Sequence, residues 1–238
     1  MIPKKIHYCW FGRGEMPQLA KDCIASWHSY MPDWEYKLWN EDNFDVSCTA
    51  YSREAYEAKK YAFVSDVARL KALNEEGGVY LDTDVKVFKS LEPLLDYHAF
   101  AGFEGCKRVL VATCILGSES KTAWLQEQLD FYAERHFLLS DGSYDQTTNV
   151  LYMTTRMSEN GFEQNGLEQD YKDLHVFPVD YFSPRHTTGE YIRTENTYCD
   201  HLGMGSWTTR SGVSGKMVQI VGQKNMTRLI KLKRKLFG

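Results

Sequence analysis

Asp82-Thr83-Asp84 is the tripeptide in this 238-residue chain with the plainest capacity for chemistry: two carboxylates one residue apart, directly after the short apolar run Val79-Tyr80-Leu81. Side chains at i and i+2 of an extended chain lie on one side, so at the end of a buried strand both carboxylates would converge on one point. Hard oxygen donors without a His/Cys cluster at ligand spacing suit Mg²⁺ or Mn²⁺ better than zinc, and such a cation is usually shared with phosphate oxygens. The plain alternative is a turn between two strands, where Asp is common. A second pair, Asp66 and Arg69, lies one helical turn apart on a single face. It is either a ligand-holding pair or an ordinary i,i+3 surface ion pair.

The elements that must position these groups follow from periodicity. Ile6 to Phe11 is a β-rich aromatic run ending at Gly12-Arg13-Gly14, and Pro17 to Tyr30 carries Leu19, Cys23, Ile24 and Trp27 at helical spacing before Met31-Pro32. Trp34 to Trp39 alternates strictly and predicts a second strand, completing a βαβ unit whose ligand sites lie at the carboxyl ends of the strands. Ser52 to Asn74 reads as one helix, uninterrupted by Gly or Pro and stopped by Gly77-Gly78. Strands are expected at 79–81, 85–88, 100–103 and 109–117, helices at 123–137 and 147–159, a strand or loop at 176–182, and a Gly-punctuated loop over Tyr198 to Trp207. His7 reads as structural rather than catalytic.

The stretch Ser65-Asp66-Val67-Ala68-Arg69, seven further residues, then Gly77-Gly78-Val79-Tyr80-Leu81-Asp82-Thr83-Asp84 has the form S-D-x-x-R … G-G-x-Y-x-D-x-D. It resembles the DXD-bearing sugar-transferase region of glycosyltransferase family 32, a group that includes bacterial capsule and lipopolysaccharide transferases and yeast mannosyltransferases. The opening Ile6-His7-Tyr8-Cys9-Trp10-Phe11-Gly12 is similar to that family's start, and Trp39-Asn40 to its second strand. The likeness covers residues 1–90, with a weaker echo at His201 to Trp207.

The resemblance implies an α/β GT-A fold, a mostly parallel nucleotide-binding sheet flanked by helices with a helical C-terminal part. It also implies retaining transfer of a hexose from a nucleotide-sugar, a UDP-sugar by preference, assisted by Mn²⁺ or Mg²⁺. By matching positions, Trp10 would stack on the nucleotide base, Asp66 and Arg69 would hold the donor sugar, and Asp84 would ligate the metal. Asp82 would reach the ribose or the metal through water. His201, Ser206 and Trp207 would close over the diphosphate, with His201 or Ser206 as a further ligand. Each has an ordinary rival: Trp10 as a core aromatic, His201 as a solvated loop histidine. Asp145 and Asn149 lie in Tyr144-Asp145-Gln146-Thr147-Thr148-Asn149, where the chain departs from a family segment reading T-G-P, and they are assigned to the acceptor side.

Composition bounds the remaining possibilities. With 28 Lys and Arg against 32 Asp and Glu, the formal net charge is −4, which argues against a general nucleic-acid binder. The N-terminus has no apolar signal core and no run of 18 apolar residues occurs, so the chain reads as cytosolic and does not span a membrane. Six scattered cysteines without C-x-x-C spacing read as mostly buried thiols. Residues 1–223 form the expected domain. From Lys224 onward six basic residues and no acid interleave with Met226, Leu229, Ile230, Leu232, Leu236 and Phe237. This 224–238 tail is either a basic amphipathic helix on an anionic membrane, beside a lipid-linked saccharide acceptor, or a helix packed on the domain. Two other functions compete: a metal-dependent nucleotide-sugar hydrolase or pyrophosphorylase, and a non-catalytic carbohydrate-binding module supported only by the abundance of Trp and Tyr.

Overall fold

The computed structural model describes residues 1–105, 109–184, 191 and 193–203. Strand β1 (Lys5–Cys9), helix α1 (Gln18–Tyr30) and strand β2 (Glu35–Trp39) form the expected βαβ unit. Pro17 fixes the backbone at the entry to α1, whose Ala20, Cys23 and Trp27 form a buried stripe. β1 and β2 pair in parallel from Lys5 opposite Glu35 to Cys9 opposite Trp39.

The expected single helix over 52–74 is two: α2 (Ala50–Glu57) and α3 (Tyr61–Glu76). Thr49 and Ser52 cap α2 reciprocally, the Ser52 amide donating to Thr49 Oγ1 at 3.0 Å. The break needs neither Gly nor Pro. Lys59 takes a left-handed φ of 57°, and the Lys60 amide closes back on the Ala55 carbonyl at 2.8 Å, the usual glycine-terminated helix end made with a lysine.

After α3, Gly77 and Gly78 have φ of 64° and 114°. A Cβ at Gly78 would stand 2.7 Å from the Lys5 carbonyl and 3.1 Å from the His7 ring. Only glycine lets strand β3 (Gly78–Leu81) lie against β1 there. β4 (Val85–Val87), β5 (Ala99–Glu104), β6 (Leu110–Ser118), α4 (Ala123–Ala133), α5 (Asn149–Glu159), β7 (Gln169–Tyr171), β8 (Leu174–Phe177), α6 (Val179–Phe182) and β9 (Cys199–His201) follow. Helix α4 stops four residues short of the expected Phe137. Part of the expected loop after Tyr198 is β9, which pairs antiparallel with β4, Val85 opposite His201.

The main sheet has the order β2-β1-β3-β6-β5-β8-β7. β1, β2, β3, β5 and β8 run one way and β6 and β7 the other. Both faces are covered. Tyr80 of β3 joins Cys9, Val64, Val67, Leu73 and Trp124 on one side. Val79 and Leu81 join Ile6, Trp27, Val85, Phe100 and Phe182 on the other, so β3 is buried throughout, as a central strand should be. Cys9, Cys23, Cys114 and Cys199 are buried free thiols and Cys48 is partly buried. No helix among the described residues is long and apolar enough to cross a membrane. Residues 204–238, with Ser206, Trp207 and the expected 224–238 tail, lie outside the described residues.

Candidate active site

Trp10 and Asp82 follow the ends of two adjacent parallel strands, β1 and β3, so both stand at the carboxyl edge of the sheet, where parallel α/β folds place ligands. β3 ends at Leu81, and Asp82 to Val85 is a turn rather than extended chain, closed by the Val85 amide on the Asp82 carbonyl at 2.9 Å. The carboxylates nevertheless converge. The turn carries Asp84 toward β9, where His201 Nε2 lies 3.4 Å from Asp84 Oδ1. The ligand atoms of Asp82, Asp84 and His201 all fall within 4.8 Å of one another. Two hard carboxylates and an imidazole fit Mn²⁺ or Mg²⁺. Asp84 is 7% exposed, a burial that a carboxylate tolerates only with partners or a cation. His201 belongs to a strand, not to a solvated loop.

Asp66 and Arg69 are not a surface ion pair: both are buried, 7% and 5% exposed. One Arg69 Nη lies 3.0 Å from Asp66 Oδ1 and 3.4 Å from Asp82 Oδ1, while the other donates to the Thr113 carbonyl at 2.7 Å and Nε to the Ser65 carbonyl at 3.2 Å. The guanidinium also sits over the Tyr80 ring, 4.6 Å from its centroid. Arg69 therefore joins the carboxylate borne by α3 to the one in the turn after β3. Tyr80 completes the link by donating its hydroxyl to Asp82 Oδ1 at 2.7 Å. Asp66 also accepts from Asn149 Nδ2 at 2.7 Å. Burial pushes the Asp66 carboxyl up to about 7, against the pull of Arg69, with Asp82 adding to the rise.

Trp10 is half-buried and belongs to neither core; its indole N–H donates to the Gly14 carbonyl at 2.6 Å. Asp145 and Asn149 part company. Asn149 reaches Asp66, whereas Asp145 pairs with Arg135 at 2.7 Å and accepts from the Tyr152 hydroxyl at 2.9 Å. Arg135 lies over the Tyr152 ring at 3.4 Å. His7 is structural, bonded on both ring nitrogens: Trp39 Nε1 donates to Nδ1 at 3.0 Å and Nε2 faces the Gly77 carbonyl at 2.7 Å.

The sequence marks some residues of the site weakly or not at all. Tyr80 had a signal, since strand alternation puts it on the side of Asp82. Gln128 and Tyr132 of α4 had none. With Asp66, Arg69, Asn149 and Tyr152 they line a small cavity, and among the described residues neither Gln128 Nε2 nor Tyr132 Oη has a hydrogen-bond partner. Buried donors in that state suit the oxygens of a polyhydroxylated ligand or of ordered water.

Residues 17–101 match the glycosyltransferase sugar-binding region containing a DXD motif. Over 107 residues the chain is 33% identical to inositol phosphoceramide mannosyltransferase 3 of Schizosaccharomyces pombe, covering 42% of this chain and 29% of that protein. It is 28% identical over 111 residues to subversion of eukaryotic traffic protein A of Legionella pneumophila, covering 35% and 17%. The chain thus spans less than a third of the length of these two relatives. Among solved structures, PaToxG glycosyltransferase superposes with a TM-score of 0.50 at 15% identity, covering 67% of this chain and 70% of that one, which makes the fold GT-A.

Proposed function

The chain is family-32-like in its DXD region and GT-A in fold, and from that premise we propose that it is a retaining glycosyltransferase moving a hexose from a nucleotide-sugar, by preference a UDP-sugar, to a saccharide acceptor. The observation that supports this most is the junction at Asp82, where the Asp66–Arg69 pair and the Asp82/Asp84/His201 group meet at the carboxyl edge of β1 and β3. On this reading Asp84, Asp82 and His201 hold Mn²⁺ or Mg²⁺, which when bound would neutralise charge growing on the leaving diphosphate. Arg69 adds fixed positive charge beside it. Asp66, oriented by Arg69 and Asn149, accepts from hydroxyls of the donor hexose, and Trp10 stacks on the base. Asn149 and the Arg135–Asp145 pair border the acceptor side.

No enzyme carboxylate is assigned as a nucleophile, so retention is proposed to come from same-face attack. The acceptor oxygen bonds to the anomeric carbon as the bond to phosphate breaks, and the departing phosphate oxygen takes the acceptor's proton. The test is nucleotide release from a panel of UDP- and GDP-sugars with Mn²⁺. Acceptor-stimulated release is expected. Acceptor-independent release would instead indicate a hydrolase, and sugar binding without release a carbohydrate-binding module. Asp84→Asn is expected to lower turnover at least 100-fold, on the order of a lost charge-stabilising contact, with the thermal unfolding midpoint retained; wild-type-like turnover would remove the metal role.

A lipid-linked acceptor of a surface polysaccharide, reached through the basic tail at the inner face of the membrane, is the corresponding proposal for residues 224–238. It expects co-sedimentation with anionic liposomes that is lost on deleting Lys224 to Gly238. Unchanged co-sedimentation would refute it.

A further inference from the structure

Among the described residues, two groups of three metal-capable side chains share one imidazole. Besides Asp82, Asp84 and His201, the ligand atoms of Glu104, Cys114 and His201 also lie within 4.8 Å of one another. Three strands bring this second group together. Glu104 ends β5, Cys114 lies midway along β6, and His201 ends β9. β6 is an interior strand, paired with both β3 and β5, and Cys114 is 1% exposed. Its sulfur is therefore held by the sheet rather than by a mobile loop. The Asp82 amide donates to the Cys114 carbonyl at 2.8 Å, so the two groups are fastened to each other through the backbone.

Their donor chemistry differs. Two carboxylates and an imidazole select a hard cation, whereas thiolate, imidazole and a single carboxylate form a set suited to zinc, with a fourth position left for water. We propose that Glu104, Cys114 and His201 form a Zn²⁺ site separate from the Asp82/Asp84 group, and that zinc there is antagonistic to the hard cation because it draws the shared His201 imidazole away from Asp84. Zinc forms its bond to Cys114 Sγ as the thiol proton leaves to solvent; no electron transfer is involved. The zinc site itself does not rest on the proposed transferase activity. Only the antagonism does, through the Asp82/Asp84 metal.

Cobalt is the probe, since a thiolate bound to Co²⁺ gives a near-ultraviolet charge-transfer band that carboxylate and imidazole ligands do not. The reduced 238-residue chain, titrated with Co²⁺, is expected to develop that band at one equivalent and to lose it on adding one equivalent of Zn²⁺. Asp84→Asn should retain the band. Cys114→Ser should abolish it while keeping the wild-type circular dichroism and unfolding midpoint, and Glu104→Gln should weaken Co²⁺ binding at least tenfold with the band still present at saturation. Absence of the band in the wild-type protein, or its survival in Cys114→Ser, overturns the site. For the antagonism, Mn²⁺ pre-bound to the wild-type protein should be released by one equivalent of Zn²⁺, read as the free Mn²⁺ electron paramagnetic resonance signal. Simultaneous retention of both metals overturns it. A cobalt band in a protein that binds no Mn²⁺ would uphold the zinc site and overturn instead the metal-assisted part of the proposed function.

Discussion

Arg69 spreads one guanidinium over Asp66, Asp82, the Thr113 and Ser65 carbonyls and the face of Tyr80. A lysine has one compact charge and could not serve these directions together. Burial raises the Asp66 carboxyl to about 7, with Arg69 opposing the rise and Asp82 adding to it, while the carboxylates around Arg69 outweigh its burial and keep the guanidinium charged. His7 is a different kind of buried polar residue. Trp39 donates to its Nδ1, so the proton sits on Nε2 and is given to Gly77, and burial holds its pKa below the ordinary value of 6.5. Below about pH 6.5 the unfolded chain takes up a proton that the folded one refuses, so stability present above that pH is lost as pH falls, by at most about 1.4 kcal/mol per pH unit. In urea unfolding between pH 7 and 5, His7→Gln should lack this one-proton slope. A slope equal to that of the wild type would show that His7 does not carry it.

At the scale of elements, the break between α2 and α3 sets where α3 begins its passage over β1 and β3. Lys59 makes the break in a left-handed conformation that costs an L-residue with a Cβ roughly 1–2 kcal/mol, part of which glycine would give back through its extra freedom in the unfolded chain. Lys59→Gly is therefore expected to raise unfolding free energy by about 0.5–1 kcal/mol, measured by chemical denaturation; a loss of stability would mean that the lysine side chain supports the turn.

The same break explains what could be read in advance. β1, α1, β2 and β3 were legible because their apolar periods are regular and their ends carry Pro or Gly. The helix over 52–74 read as continuous because neither Gly nor Pro punctuates residues 58–60. β9 read as a loop because three residues are too few for alternation and its partner β4 is remote in sequence. At the site, the Asp66/Arg69 and Asp82/Asp84 spacings were legible, being local. The bond from Asn149 to Asp66 and the stacking of Arg135 on Tyr152 were not, since each depends on how α4 and α5 pack on the sheet.

For the whole molecule, the pairing of β4 with β9 has a temporal consequence. Residues 85–87 meet residues 199–201, with the Phe88 amide on the Tyr198 carbonyl at 2.8 Å and the Leu202 amide on the Asp84 carbonyl at 3.0 Å, whereas β1 meets β2 across about thirty residues. Contacts closing long loops form late, and a chain made from its N-terminus meets them later still. During refolding followed by pulsed hydrogen exchange, the Trp10 amide, bonded to the Trp39 carbonyl at 3.0 Å, should gain protection before those of Phe88 and Leu202. Simultaneous protection would refute this order. A nascent chain would thus have Asp66, Arg69 and Asp82 in place on the growing sheet well before His201 arrives on β9, so capture of the proposed metal would be an event of completion, withheld until the last of the described strands has been laid down.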